Sequence, residues 1–337
     1  MLETFSFSFN AICPMVLLML SGLLGRKLGY LTPGIVKKVN AFAFRVGIPI
    51  LMFCNVYSLK GLEEISLPLI LFVVISLAGL TVVGAVCAHF FAQTRSQKGV
   101  IIQMGFRSNY GIIGSAIALS LGGIAGNTVA TSLQVPSIIY FNAVGVLFLT
   151  IYSDDADRNV DVWKLLKSIC KNPLILGQVA GLLCLVIRQW IPLNAQGELV
   201  FSISGSLPWL YSFLESMAQM TSPLVLVLLG AQVDFSAVGE LKKPLIAGCA
   251  LRLGLAPLAG FAMAVLADRL GMFALTPAVI SALVTLYGSP APVASAVMAE
   301  EMNCSGELGR QYVVWSTTLS MVTIFLWVLV LRGMNWL

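Results

Sequence analysis

The sequence predicts an all-α membrane protein: ten transmembrane helices built as two inverted five-helix repeats, with the fourth and ninth helices interrupted. Three observations predict it: the composition, a train of apolar runs, and a match between the two halves of the chain. Of 337 residues, 58% are hydrophobic and 10% charged, and the mean hydropathy is +0.93. A water-soluble domain carries roughly a quarter charged residues because its surface must be solvated. Most of this chain is therefore solvated by lipid.

A helix needs about 20 apolar residues to cross about 30 Å of hydrocarbon. Apolar runs between charged or Gly/Pro-rich breaks fall at about 5–24, 39–57, 67–91, 99–121 and 128–151 in the first half. In the second half they fall at about 173–187, 207–231, 244–266, 276–299 and 311–331. The sixth run is short, and the amphipathic stretch 194–206 is expected at the interface. The start, Met1-Leu2-Glu3-Thr4-Phe5, lacks the basic region of a cleaved signal, so the first run is read as a retained span. The expected organisation is a first repeat over 1–152, a cytoplasmic linker over 153–172 and a second repeat over 173–337.

Charge sets the direction. Alternate loops place thirteen Lys and Arg on one side, among them Lys37, Lys38, Lys242, Lys243 and Arg310, against Lys60, Arg188, Arg269 and Arg332 on the other. By the positive-inside rule the richer side is cytoplasmic and both termini face outward, in the plasma membrane. The net charge of +5 thus reports orientation, and no nucleic-acid partner is implied. Seven cysteines, scattered singly without a C-x-x-C pair, indicate neither a disulfide framework nor a zinc site.

The internal match appears at an offset of 174 residues, where Gly114-Ser115-Ala116 falls on Gly288-Ser289-Pro290 and Pro49 on Pro223. An odd number of spans per half forces the second copy to enter the membrane in the opposite direction, the usual plan of a secondary transporter. Both matched segments carry helix breakers: Gly111 and Gly114 in the fourth span, Gly288, Pro290 and Pro292 in the ninth. In hydrocarbon a freed amide or carbonyl costs several kcal/mol unless something satisfies it, so broken helices belong where a polar guest binds. Half-helix N-termini suit a carboxylate.

These residues carry a family resemblance. "FRSNYGIIGSAIALS", "KNPLILGQVAGLL" and above all "SPAPVASAVMAEEM" followed by "VVWSTTLSMVTIFLWVLVL" resemble the auxin efflux carrier family, which includes bacterial malonate and malate carriers. The resemblance implies that the interrupted fourth and ninth helices cross, hold an organic anion, and move it by an elevator-like displacement; it also implies a homodimer through first-half helices. The plant exporters place Asn beside each crossover proline, where this chain has Ile117 and Ala291, and Ala116 stands where members often have proline. Auxin is therefore not the expected substrate.

The expected binding residues are Asn109, Gly111, Gly114, Ser115, Ala116, Ser289, Pro290, Pro292, Arg107 and Asn142. Asn109 offers donor and acceptor beside the break. Arg107, ranked behind Asn109, can attract a dicarboxylate without being in the final site or, like Arg45 and Arg252, snorkel or pair structurally, and Asn142 can bridge helices. Arg45 and Arg252 lie within spans and are expected to snorkel or pair structurally; Glu215 is expected near the outer surface, with a proton- or sodium-carrying role as its alternative, and His89 at the inner interface.

No cofactor or metal is expected. The runner-up function is sodium-coupled symport of the bile-acid-carrier type, but its cation sites use carboxylates, which are scarce at the expected crossing. A membrane prenyltransferase-like enzyme would use the cluster Asp154, Asp155, Asp157 and Asp161, but needs a second facing acidic cluster. A non-transporting sensor would bind the same anion without flux. H-E-x-x-H, P-loop and G-x-S-x-G motifs are absent from the sequence.

Overall fold

The computed structural model describes residues 2–58, 66–110, 115–155, 171–194, 199–233 and 238–337, and their elements are helices. They are α1 (Leu2–Lys27), α2 (Pro33–Tyr57), α3 (Leu67–Phe91), α4 (Arg95–Phe106), α5 (Ser115–Tyr152) and α6 (Pro173–Arg188). After a single turn at Ile203–Ser206 come α7 (Pro208–Ala231), α8 (Val238–Ala250 continuing to Ala256–Arg269), α9 (Pro277–Gly288), α10 (Val293–Glu301) and α11 (Gly306–Gly333). Each of α2 and α8 passes through one π-helical turn, at Ala43–Gly47 and Leu251–Leu255. Among the described residues, seven stretches are long and apolar enough to cross a membrane; the α9–α10 stretch is 83% buried in its most apolar window, against 33–50% for the others, and so is enclosed by the rest.

The two interrupted stretches begin alike and break for different reasons. Thr94 and Thr276 cap α4 and α9, each side chain accepting from the N–H three residues on, at 3.3 Å. α9 stops because Pro290 and Pro292 lack N–H groups and force extended backbone before them; Ser289 sits at φ −67°, ψ 147°. α4 stops at Phe106 with no proline nearby. Arg107 turns to φ −84°, ψ 126° and 107–109 are non-helical, held by bonds from far along the chain: the Asn109 N–H donates to the Pro290 carbonyl at 2.8 Å.

Three sequence expectations change. The first break starts at Arg107, ahead of the glycines, and Gly111 and Gly114 lie outside the described residues. Ser115 already begins α5 while Ser289 follows the end of α9, so the residues paired at the offset of 174 occupy different places relative to their breaks. The loop expected between the fourth and fifth spans shrinks to Gly123 alone, whose φ of 61° and ψ of −155° interrupt α5. Only glycine takes that conformation without steric cost.

Of the linker expected over 153–172, residues 156–170 lie outside the described set, Asp157 and Asp161 among them. Asp155 accepts from the Asn303 side chain and the Asp154 N–H donates to the Asn303 carbonyl at 2.9 Å. They tie the end of α5 to the α10–α11 loop, through the Asp155 carboxylate and the Asp154 main chain. In that loop, outside the spans, burial and then the Asp154 charge push the Cys304 thiol up to about 12. Its Sγ donates to the Leu149 carbonyl at 3.3 Å.

Candidate functional site

Where the two breaks meet there is a cavity of about 70 Å³. Arg107, Ser108 and Asn109 from the first break, Pro292, Val293 and Ala294 from the second, Phe141 and Asn142 from α5, Met52 and Asn55 from α2, and Thr221 and Ser222 from α7 line it. No carboxylate is among its lining residues. Its two sides differ. Leu51, Asn55 and Ser222 are shared with a vestibule of about 440 Å³ toward Ser58 and Tyr211, which Glu215 lines. On the other flank Val225 is shared with a cleft that has no room for water, bounded by Glu300 and Arg310. Arg310 pairs there with Glu300 at 3.2 Å and with Glu307.

Arg107 dominates the electrostatics. Its residue is 3% exposed, and its guanidinium donates to the Asn142 Oδ1 at 2.7 Å, the Gln103 Oε1 at 3.0 Å and the Met298 Sδ at 2.7 Å. None of these acceptors carries charge, and a thioether is a weak one. No ion pair between described residues involves Arg107, so no described carboxylate lies within pairing distance of it. An isolated buried cation is costly unless an anion compensates it.

The neighbouring groups are donors in want of acceptors. Arg107 Nε, Ser108 Oγ and Asn109 Nδ2 are buried without hydrogen-bond partners. The first turn of α10, Val293 and Ala294, completes that wall. First-turn amides lack intrahelical acceptors and stand at the positive end of the helix dipole. One guanidinium, one hydroxyl, one amide and a helix N-terminus thus converge on a pocket whose described lining offers no anion.

Arg252 presents the opposite case. It is fully buried, and every guanidinium nitrogen donates to backbone carbonyls: Nε to Ser289 at 3.1 Å, Nη1 to Gly105 and Arg107 at 3.4 Å each, and Nη2 to Leu286 at 3.1 Å and to Tyr287. These carbonyls belong to the C-terminal ends of α4 and α9. Snorkelling is overturned for Arg252 by this burial; structural pairing is what it does, with main chain rather than with a carboxylate.

Of the expected site residues, Arg107, Asn109, Asn142 and Pro292 come together around the cavity. Pro290 and Ser289 act behind it, through their carbonyls to Asn109 and Arg252. Ser115 and Ala116 open α5. Glu215 lines the vestibule and not the cavity, while Arg45 and His89 are exposed. Sequence reasoning missed Gln103, four residues before Arg107 on the same helix face, Ser108 between two chosen residues, and Met298 and Thr221. It also missed Gly145, where a Cβ would stand 2.9 Å from Arg107 Nη1. Only the first two left a sequence signal, by spacing and adjacency.

Comparisons with known proteins cover nearly the whole chain. A family model described as "Membrane transport protein" matches residues 7–159 and 154–328. An uncharacterized transporter of Methanothermobacter thermautotrophicus is 24% identical over 333 residues, covering 96% of this chain and 98% of that protein.

Proposed function

This chain belongs to the membrane transport protein family, that of the auxin efflux carriers, and from that premise we propose that it carries small organic anions, mono- or dicarboxylates, across the plasma membrane by alternating access. Membership makes it a multi-pass membrane transporter. The anion is our reading of the cavity.

The observation that carries the reading is Arg107: a buried guanidinium with only neutral acceptors, lining a cavity beside the unpartnered Ser108 and Asn109 donors. A carboxylate entering there would meet charge-assisted donors in a low-dielectric setting, where such bonds are roughly twice as strong as neutral ones. The cavity is small, about 70 Å³, and opens on the vestibule through Leu51, Asn55 and Ser222, which favours a small carboxylate over a bulky aromatic acid.

The reading places the ten apolar segments in two inverted repeats whose fourth and ninth members cross at the Asn109–Pro290 bond, with the alkaline, Lys-rich loops inside and both termini outside. The vestibule toward Tyr211 is then an external approach. The Arg310 cluster closes the inner flank, and an elevator-like shift of the broken pair would expose the cavity to the other side. The carboxylate-free lining supports uniport or proton-linked movement over sodium symport.

The test is uptake into liposomes holding the purified protein, with labelled mono- and dicarboxylates and imposed sodium or proton gradients. Saturable carboxylate uptake that persists without sodium and falls about tenfold in Asn109→Ala, the worth of one charge-assisted contact, is expected. Uptake confined to neutral or cationic solutes, or unchanged in that variant, would contradict it.

A further inference from the structure

The ends of α4 and α9 pose an electrostatic problem that the transported anion cannot solve. A helix C-terminus carries about −0.5 of an elementary charge and leaves its last carbonyls without intrahelical donors. Two such ends meet here in the enclosed centre of the molecule. Together they amount to about one negative charge surrounded by main-chain oxygens. In broken-helix transporters generally, unwound carbonyls and half-helix C-termini are where a coupling sodium ion or proton is held.

Here the cation is part of the chain. Arg252 has five N–H donors and five carbonyl acceptors, Gly105 and Arg107 from the first break and Leu286, Tyr287 and Ser289 from the second. Its charge of +1 matches the two half-charges. It reaches them from the π-helical turn Leu251–Leu255, and π turns widen a helix locally at functional positions. The tyrosines packed around it, Tyr287 and Tyr312, are neutral hydroxyls, with Tyr287 bonded to Ser76 and Tyr312 donating to the Met104 carbonyl at 3.4 Å.

We infer that Arg252 is a tethered cation standing in the place a mobile coupling cation would occupy, so that the broken pair is neutral on its carbonyl side without sodium, and transport draws nothing from a sodium gradient. The inference deepens the carrier reading and rests on it for the word transport; the cation cradle stands by itself. It also explains why only the Arg107 side is left calling for a charge. As a positioning residue, Arg252 acts on the anion through the carbonyls of Arg107 and Ser289.

The experiment is chemical rescue, read without substrate. Thermal unfolding midpoints of purified wild type and Arg252→Ala are measured in choline, sodium and millimolar guanidinium chloride at matched ionic strength. Wild type is expected to have one midpoint in all three salts. R252A is expected to unfold at a lower temperature in choline and to regain a few degrees in guanidinium or sodium, by binding to the vacated carbonyls. A sodium-specific rise in wild type would overturn the inference, as would an R252A midpoint that ignores all three salts. If R252A yields no folded protein, Arg252→Lys is read on the same axis: its single ammonium leaves carbonyls open, so a partial guanidinium response is expected, and none would overturn the inference. Carboxylate flux is then followed in the same preparations. Rescue of stability in the absence of any anion flux in wild type would leave the Arg252 cradle standing and refute the carrier reading; flux with no cation response in R252A would do the reverse.

Discussion

Arg107 and Arg252 are two arginines in one enclosed region, both nearly sealed from solvent, and one donates to the other's main-chain carbonyl. Arg252 is surrounded by the negative ends of two helices. Arg107 has two amides and a sulfur, faces a cavity, and sits by the positive end of α10. Burial alone therefore does not single out a binding residue. What distinguishes them is the residual charge: Arg252's is offset by main-chain dipoles, and Arg107's meets only neutral acceptors among the described residues, which leaves it to the guest we propose.

The sharpest way to break this comparison is to remove each charge in turn. Arg252→Met should strip donors from five carbonyls and destabilise the protein by at least about 3 kcal/mol, seen as a lower unfolding midpoint. Arg107→Met should leave that midpoint unchanged or raised, because it removes an uncompensated buried charge, and should cut anion uptake by about 100-fold. Equal losses of stability in both would dissolve the distinction.

Next in size is Asn142→Asp. Asn142 Oδ1 accepts from Arg107 at 2.7 Å, so the substitution supplies a permanent carboxylate in the guest's place. We expect a protein at least as stable as wild type with uptake reduced about tenfold or more, the anion now competing with an internal ion pair. Gly145→Ala should act more gently. Its Cβ would come within 2.9 Å of Arg107 Nη1, forcing the guanidinium aside by a few tenths of an ångström and raising the KM for the anion a few-fold at unchanged expression.

The smallest effect belongs to Glu215, the carboxylate of the vestibule. Glu215→Gln should raise anion uptake about twofold at low ionic strength by removing repulsion along the approach, and the gain should vanish at high salt as screening shortens. A loss of uptake would instead mark Glu215 as a proton carrier.

Much of this was legible in the sequence for physical reasons that can be traced. Pro290 and Pro292 break α9 by local geometry, so the second interruption could be placed to within a residue or two. The first could not. Nothing local ends α4 at Phe106; the break is held by Pro290 and Arg252, both more than a hundred residues away in sequence, and glycines further on drew attention past it. Whether Arg252 would snorkel or pair stayed open for a related reason: a run of apolar neighbours shows that a side chain lies within a span but not whether it faces lipid or the centre. Arg107 and Asn109 were singled out by their place beside the break, with Asn109 ranked first; the missing counter-charge on which the proposal for Arg107 rests depends on which side chains fold against it. Gly145 and Met298 lie in featureless apolar runs and acquire meaning only through their contact with that guanidinium.

The most direct test of the central claim is the shift in thermal unfolding midpoint that a short dicarboxylate produces in wild type and in Arg107→Met. The account predicts a concentration-dependent rise in wild type and none in the variant, whose ligand-free midpoint stands at or above that of wild type. An equal rise in both proteins would contradict it, because the anion would then be held elsewhere.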